Sequence, residues 1–157
     1  MITQELLKKS LHYNPETGIF TRISGRHANK NVGHINSYGY VCIYVHDKIY
    51  KAHRLAFLYL TGLFPMCDVD HMDGNPANNA WHNLRDVETI INCQNRRVAQ
   101  KNATTSGLLG ISKQGNKFVA RITINKITIY LGTFSSVEEA YQSYLNAKRK
   151  YHEGCTI

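Results

Sequence analysis

Between Asp70 and Asn92 the chain gathers the residue types that phosphodiester hydrolysis requires. Asp70-His71, Asp73-Gly74-Asn75, Asn78-Asn79, Asn83 and Asn92 all fall within VDHMDGNPANNAWHNLRDVETIINCQNRR, residues 69–97. Such a reaction needs an activated water, relief of charge on the phosphate and a stabilised leaving oxygen. A neutral imidazole at His71 can take the water's proton near neutral pH. Asp70 and Asn92 offer hard oxygen donors, and two protein ligands suit one Mg²⁺ or Mn²⁺ ion that keeps several waters. Asn83 can accept a bond from the imidazole N–H and fix its tautomer. Asp73 and the Asn78-Asn79 pair are turn formers, expected to shape the loop rather than to ligate.

These residues come together only if the backbone folds back on itself. Asp70-His71 ends a short apolar stretch, Asp73-Gly74-Asn75-Pro76 is turn chemistry, Leu84–Val87 can return as a strand, and 88–97 can form a helix. Strand, long loop, strand and helix would bring Asp70, His71, Asn83 and Asn92 to one place. The preceding residues predict an α/β support. A short helix is expected over 3–11 with Thr3 as cap, then a turn at Asn14–Gly18 and a strand at Ile19–Ile23. Tyr38–Val45 and Lys48–Lys51 read as a hairpin turning at His46-Asp47, and Ala52–Leu60 as a helix stopped by Gly62. His53-Arg54 on that helix has two readings, packing onto the neighbouring core or clamping a phosphate. The other histidines, His12, His27, His34, His46, His82 and His152, show no ligand spacing.

The formal net charge of +8 is unevenly placed. Residues 1–91 hold 9 Lys+Arg against 8 Asp+Glu, whereas residues 92–157 hold 10 against 3. A surplus confined to one segment suits a polyanion, because each neutralised phosphate releases counterions. There, Leu109–Lys113, Lys117–Asn125 and Ile127–Phe134 predict three strands, followed by a helix opened by Ser136 with Glu139 three residues on. Val137, Ala140, Tyr141, Tyr144 and Tyr151 form its apolar stripe. Phe118, Ala120, Ile122 and Ile124 alternate with Lys117, Val119, Arg121 and Thr123, which separates an apolar face from a mostly polar one. Lys113, Lys117, Arg121 and Lys126 are therefore the expected DNA-facing cations, with Arg96, Arg97 and Lys101 expected on phosphates. Residues 98–107 are polar and read as a linker between a domain at 1–97 (its core at about 66–97) and a module at 108–157.

Several classes are disfavoured. The four cysteines form no CxxC pair, against a zinc ribbon. No apolar run approaches the roughly 20 residues of a membrane helix, and the first residues lack the regions of a signal peptide. A soluble, cytoplasmic protein is the expectation. No heptad argues for a dimer, so a monomer is expected.

Residues 69–97 resemble the HNH endonucleases, in the branch of phage and intron-encoded homing enzymes with a ββα-metal core. The likeness rests on DH-x-DGN (Asp70, His71, Asp73, Gly74, Asn75), Asn78-Asn79, Asn83-Leu84 and Asn92 with Gln94-Asn95. It implies His71 as general base, Asn83 as the residue that orients it, and Asp70 and Asn92 as metal ligands. Asn rather than His at the last position points away from a zinc-preferring site. YNPETGI at 13–19 and YKAHRLAFLYLTGLF at 50–64 are similar to the lead-in of phage HNH proteins. Residues 107–153 resemble the DNA-binding module of plant ethylene-response factors, through Gly110-Ile111, Phe118–Ile122, Leu131–Phe134 and Glu138–Tyr141, with Phe118 where tryptophan is usual. The resemblance implies an α+β fold and a homing-type endonuclease acting on double-stranded DNA, in a host cytoplasm if phage-encoded, with its sheet in the major groove. A single centre would nick one strand. The rival expectation is a non-catalytic, sequence-specific DNA-binding protein on a degenerate HNH scaffold.

Overall fold

The computed structural model describes residues 2–99 and 106–157, and the chain divides into two units, Met1–Thr89 and Ile90–Ile157. Most of the expected linker, Lys101 with it, lies outside the described residues.

In the first unit, helix α1 (Gln4–Ser10) starts where the Thr3 hydroxyl accepts the Leu6 N–H, an N-cap. Leu11 ends the helix and opens β1 (Leu11–Asn14), which pairs with β2 (Ile19–Arg22) through the Asn14–Gly18 turn. The expected helix runs through Leu11. Extended backbone begins there instead, because Leu11 and Tyr13 alternate into the core while His12 and Asn14 face out. A small sheet follows: β3 (His34–Ile35), β4 (Val41–Val45) and β5 (Lys48–Lys51). His46 and Asp47, both at positive φ, make its tight hairpin turn. Helix α2 (Ala52–Thr61) closes on Gly62 in the left-handed region, the glycine stop the sequence predicts. Leu7, Leu11, Tyr13, Phe20, Ile43, Val45, Leu55, Ala56, Val69 and Leu84 share one core. β6 (Asp68–His71) and β7 (Leu84–Val87) pair antiparallel, each adding one apolar residue to that core, Val69 and Leu84. A single 3₁₀ turn at Trp81–Asn83 leads into β7.

Helix α3 (Thr89–Gln94) begins at the boundary between the units and is shorter than the expected 88–97. In the second unit β8 (Ile111–Gln114), β9 (Lys117–Ile124) and β10 (Ile127–Phe134) form an antiparallel sheet in the order β10-β9-β8. Helix α4 (Val137–Tyr151) is capped by Ser136, whose hydroxyl accepts the Glu139 N–H at 3.1 Å. Ala140, Tyr144 and Ala147 pack on Ile111, Ala120 and Ile122. Tyr151, expected in this stripe, is 44% exposed, since it lies in the last turn of the helix. The fold is α+β, with small antiparallel sheets throughout. Among the described residues no helix is long and apolar enough to cross a membrane.

Candidate active site and nucleic-acid interface

The β6–β7 ladder sets the first part of the site. Its register places Asp70 opposite Arg85 and His71 opposite Leu84. Facing residues in an antiparallel pair project to the same side, so Arg85 reaches the Asp70 carboxylate. Its Nε and Nη2 lie 2.8 and 2.6 Å from Oδ2. Asp70 and His71 are 4% and 5% exposed, unusual values for a charged and a polar side chain.

The loop from Met72 to Asn83 supplies the second part and holds itself through side chains. Asp73 accepts from the Asn75 N–H, from Asn83 Nδ2 and from Asn78 Nδ2. Burial pushes its carboxyl up, but the bonds from Asn78, the Asn75 backbone and Asn83 outweigh this and hold it below its ordinary value. Asn83 makes three side-chain bonds among the described residues: it accepts from the Asp73 N–H and donates to Asp73 Oδ1 and the Asn78 carbonyl. Asn83 thus ties the loop together, and the residue facing the imidazole is Asn79. Asn79 Oδ1 lies 3.4 Å from His71 Nε2, while its Nδ2 donates to the Ala77 carbonyl at 3.0 Å. The second bond fixes the amide's orientation, so the oxygen faces the ring, Nε2 carries the hydrogen, and the lone pair falls on Nδ1.

Asn79 is placed by residues more than sixty positions earlier. The Tyr13 hydroxyl donates to the Asn79 carbonyl at 2.7 Å. The Trp81 N–H donates to the Pro15 carbonyl at 2.8 Å. A Cβ at Gly18, where φ is +72°, would lie 2.2 Å from the Asn79 carbonyl carbon. Only glycine allows both that backbone angle and that approach.

Three further residues border His71. The His53 ring meets it edge-on at 5.1 Å between centroids, and the Tyr40 ring lies 5.3 Å from His53 and 6.0 Å from His71. Lys51 Nζ sits 4.3 Å from the Tyr40 ring centroid, a cation–π contact. Burial lowers the His71 pKa, against opposing contributions from Asn79, Asp73 and Asp70, and Lys51 lowers it further. Burial, with His71, Lys51 and Arg54 adding to it, brings His53 down to about 3. His53 is 4% exposed and its Nδ1 has no hydrogen-bond partner. Arg54 donates to the Pro65 carbonyl and lies over the Phe64 ring, the packing alternative of the two readings for this residue.

Asn92 lies half-buried on α3 in the second unit. There, Lys117 and Arg121 project from β9 on the side away from Ala120 and Ile122, joined by Tyr130, which pairs with Arg121. An irregularity between Tyr130 and Gly132 leaves Tyr130 and Thr133 bonded at 2.7 Å through their hydroxyls. Lys113 pairs with Phe118 and so belongs to the opposite face. Lys126 occupies the exposed tip of the β9–β10 hairpin, where it and Asn125 have positive φ. Arg96 is exposed, and Arg97 donates to the Thr156 hydroxyl at 2.9 Å.

Residues 50–89 match a family model described as HNH endonuclease. The matched segment contains Lys51, His53, Asp70, His71, Asn79, Asn83 and Arg85. Comparison with curated proteins finds no match. Among solved structures, that of DNA binding and cleavage by the HNH homing endonuclease I-HmuI is similar at 23% identity and a TM-score of 0.47, over 98% of this chain and 95% of that one.

Sequence reasoning did not single out Asn79, Arg85, Lys51 or Tyr40 for the site. Arg85 stands on the predicted return strand Leu84–Val87, but the register that sets it opposite Asp70, with Val69 opposite Asp86, does not follow from residue type. Asn79 was not recoverable either, since its role depends on contacts with Tyr13 and Gly18.

Proposed function

We propose that the chain is a divalent-metal-dependent HNH DNA endonuclease of homing type, with His71 as general base. The observation that carries this reading is a buried imidazole held against Asn79 Oδ1 beside the Asp70–Arg85 pair, inside the segment that matches the HNH family. With Nε2 donating, Nδ1 is the atom that accepts the proton of the attacking water. Burial favours the neutral imidazole, which keeps the base ready at neutral pH. Lys51, anchored over Tyr40 on the same rim, offers its ammonium to the scissile phosphate.

Among the described residues no group of three His, Cys, Asp or Glu gathers as a metal site. By donor chemistry alone, the ligands the HNH resemblance implies, a carboxylate at Asp70 and an amide oxygen at Asn92, suit a single Mg²⁺ or Mn²⁺ that retains much of its water shell. When bound, the ion supplies Lewis-acid relief of charge on the phosphate and the leaving oxygen. Asp70 would hold it, with Arg85 steadying the carboxylate. The single centre makes the monomer a nicking enzyme that leaves 5′-phosphate and 3′-hydroxyl ends. The second unit binds double-stranded DNA through Lys117, Arg121 and Lys126, with Arg96, Arg97 and Lys101 on phosphates, Lys113 on the sheet's other face outside this surface, and Arg54 steadying the first unit.

Supercoiled plasmid conversion with Mg²⁺, Mn²⁺ or EDTA, run beside His71→Ala, tests the reading. Nicked circles that need the ion and vanish in the variant are expected. Full activity in His71→Ala overturns the general base. No conversion with any metal, alongside retained DNA binding, replaces the nuclease by a non-catalytic DNA-binding protein.

A further inference from the structure

The second unit holds a cavity of about 310 Å³ lined by Arg96, Arg121, Lys148 and His152, with no carboxylate among the residues that line it. Lys148 is the unusual member. It lies in the last turn of α4 and is 1% exposed. Its ammonium donates to the Arg96 carbonyl, and neither ion pair found among the described residues includes it. Taking an ammonium out of water without a counter-charge is strongly unfavourable. The carbonyl end of α4 offsets part of this, with roughly half an elementary charge. Burial pulls the Lys148 pKa down, Cys155 opposes this and Arg97 adds to it.

His152 adds a second, independent sign. Its Nε2 donates to the Thr123 carbonyl at 3.0 Å, while its Nδ1 is buried with no partner. Buried polar atoms in proteins are nearly always satisfied. An ammonium lacking an anion and an imidazole nitrogen lacking a partner line the same cavity, beside Arg96, whose planar guanidinium fork matches phosphate oxygens.

We propose that this cavity binds one phosphate group, with Lys148 as its buried counter-charge, Arg96 as the outer donor, and His152 Nδ1 as a further polar contact. The phosphate has two chemical sources, the phosphodiester of bound duplex DNA or a free phosphate. The assignment stands apart from the cleavage chemistry and makes no use of His71.

The test uses the full chain in EDTA, so that cleavage plays no part. Thermal unfolding is followed in inorganic phosphate and in chloride at matched ionic strength, for wild type, Lys148→Met and Arg96→Gln. Duplex binding is measured against salt for the same three proteins. A phosphate-specific, saturating rise in Tm is expected for wild type, lost in Lys148→Met and weakened about tenfold in apparent Kd in Arg96→Gln. Arg96 is exposed, so its variant keeps the test decisive if Lys148→Met fails to fold. If DNA supplies the phosphate, inorganic phosphate competes with duplex, and Lys148→Met makes the slope of log K against log salt shallower by about one. If the ligand is free phosphate, the Tm rise appears and that slope is unchanged. A Tm that responds equally to phosphate and chloride, with unaltered slopes, overturns the proposal.

Discussion

The β6–β7 segment and the β8–β10 sheet are both antiparallel and both rich in polar side chains, yet they use them in opposite ways. In the first, polar groups turn inward and onto one another: Asp73, Asn78 and Asn83 close a loop, and Asn79 faces a buried His71. In the second, Lys117, Arg121 and Tyr130 stand outward on a solvent-facing strand surface. A reacting group needs one protonation state and one orientation, which burial and a fixed partner provide. A surface that grips a polyanion needs accessible charge and tolerates loose geometry. Single substitutions should therefore act steeply and unequally in the first region, and modestly and alike in the second.

The largest effect should come from His71→Ala, which is expected to lower the plasmid-nicking rate by roughly 10²–10⁴-fold with duplex affinity nearly unchanged. Next, Asn79→Ala and Asn83→Ala should separate. Asn79→Ala should lower the nicking rate by about 10–100-fold and change its pH profile, since the imidazole loses its oxygen partner. Asn83→Ala should mainly lower stability, by about 1–3 kcal/mol, because the Asp73 groups it satisfies lose their bonds. Thermal unfolding and nicking, measured side by side, distinguish the two; equal losses of rate at equal stability would erase the distinction.

Acid should weaken the buried region. His53 is held neutral in the folded chain down to about 3, whereas the unfolded chain takes up the proton near its ordinary value of 6.5. Stability should then decline as pH falls from 6.5 toward 3, and His53→Phe should flatten that decline in Tm measured against pH. The smallest effects belong to the sheet. Lys117→Ala should make the slope of log K against log salt shallower by about one, leaving the rate at saturating DNA unaltered.

Much of this contrast was legible before any coordinates. The alternation through Phe118–Ile124, the Ser136 cap, the Gly62 stop and the return strand Leu84–Val87 are local patterns, and each stands where the sequence predicts it. Asp70-His71 could likewise be read as a reactive pair from residue type alone. The partner of the imidazole could not, because Asn78, Asn79 and Asn83 have the same chemistry and differ only in placement. That choice is made by the Tyr13 hydroxyl and by the space left at Gly18, far off in the chain. β1 escaped notice for a related reason: Leu11 fits a helical stripe as well as a strand, and its pairing with Arg22 decides.

The bond from Tyr13 to Asn79 spans 66 residues, and it bears on when activity can arise. Long-range contacts form only after the intervening chain has paid its closure entropy. A chain whose first turn has not yet met the Asp73–Asn79 loop has His71 in sequence but no oriented imidazole. On the proposed reading the chemistry is thus tied to the completion of folding, and a nascent or partly unfolded copy would be inert toward DNA.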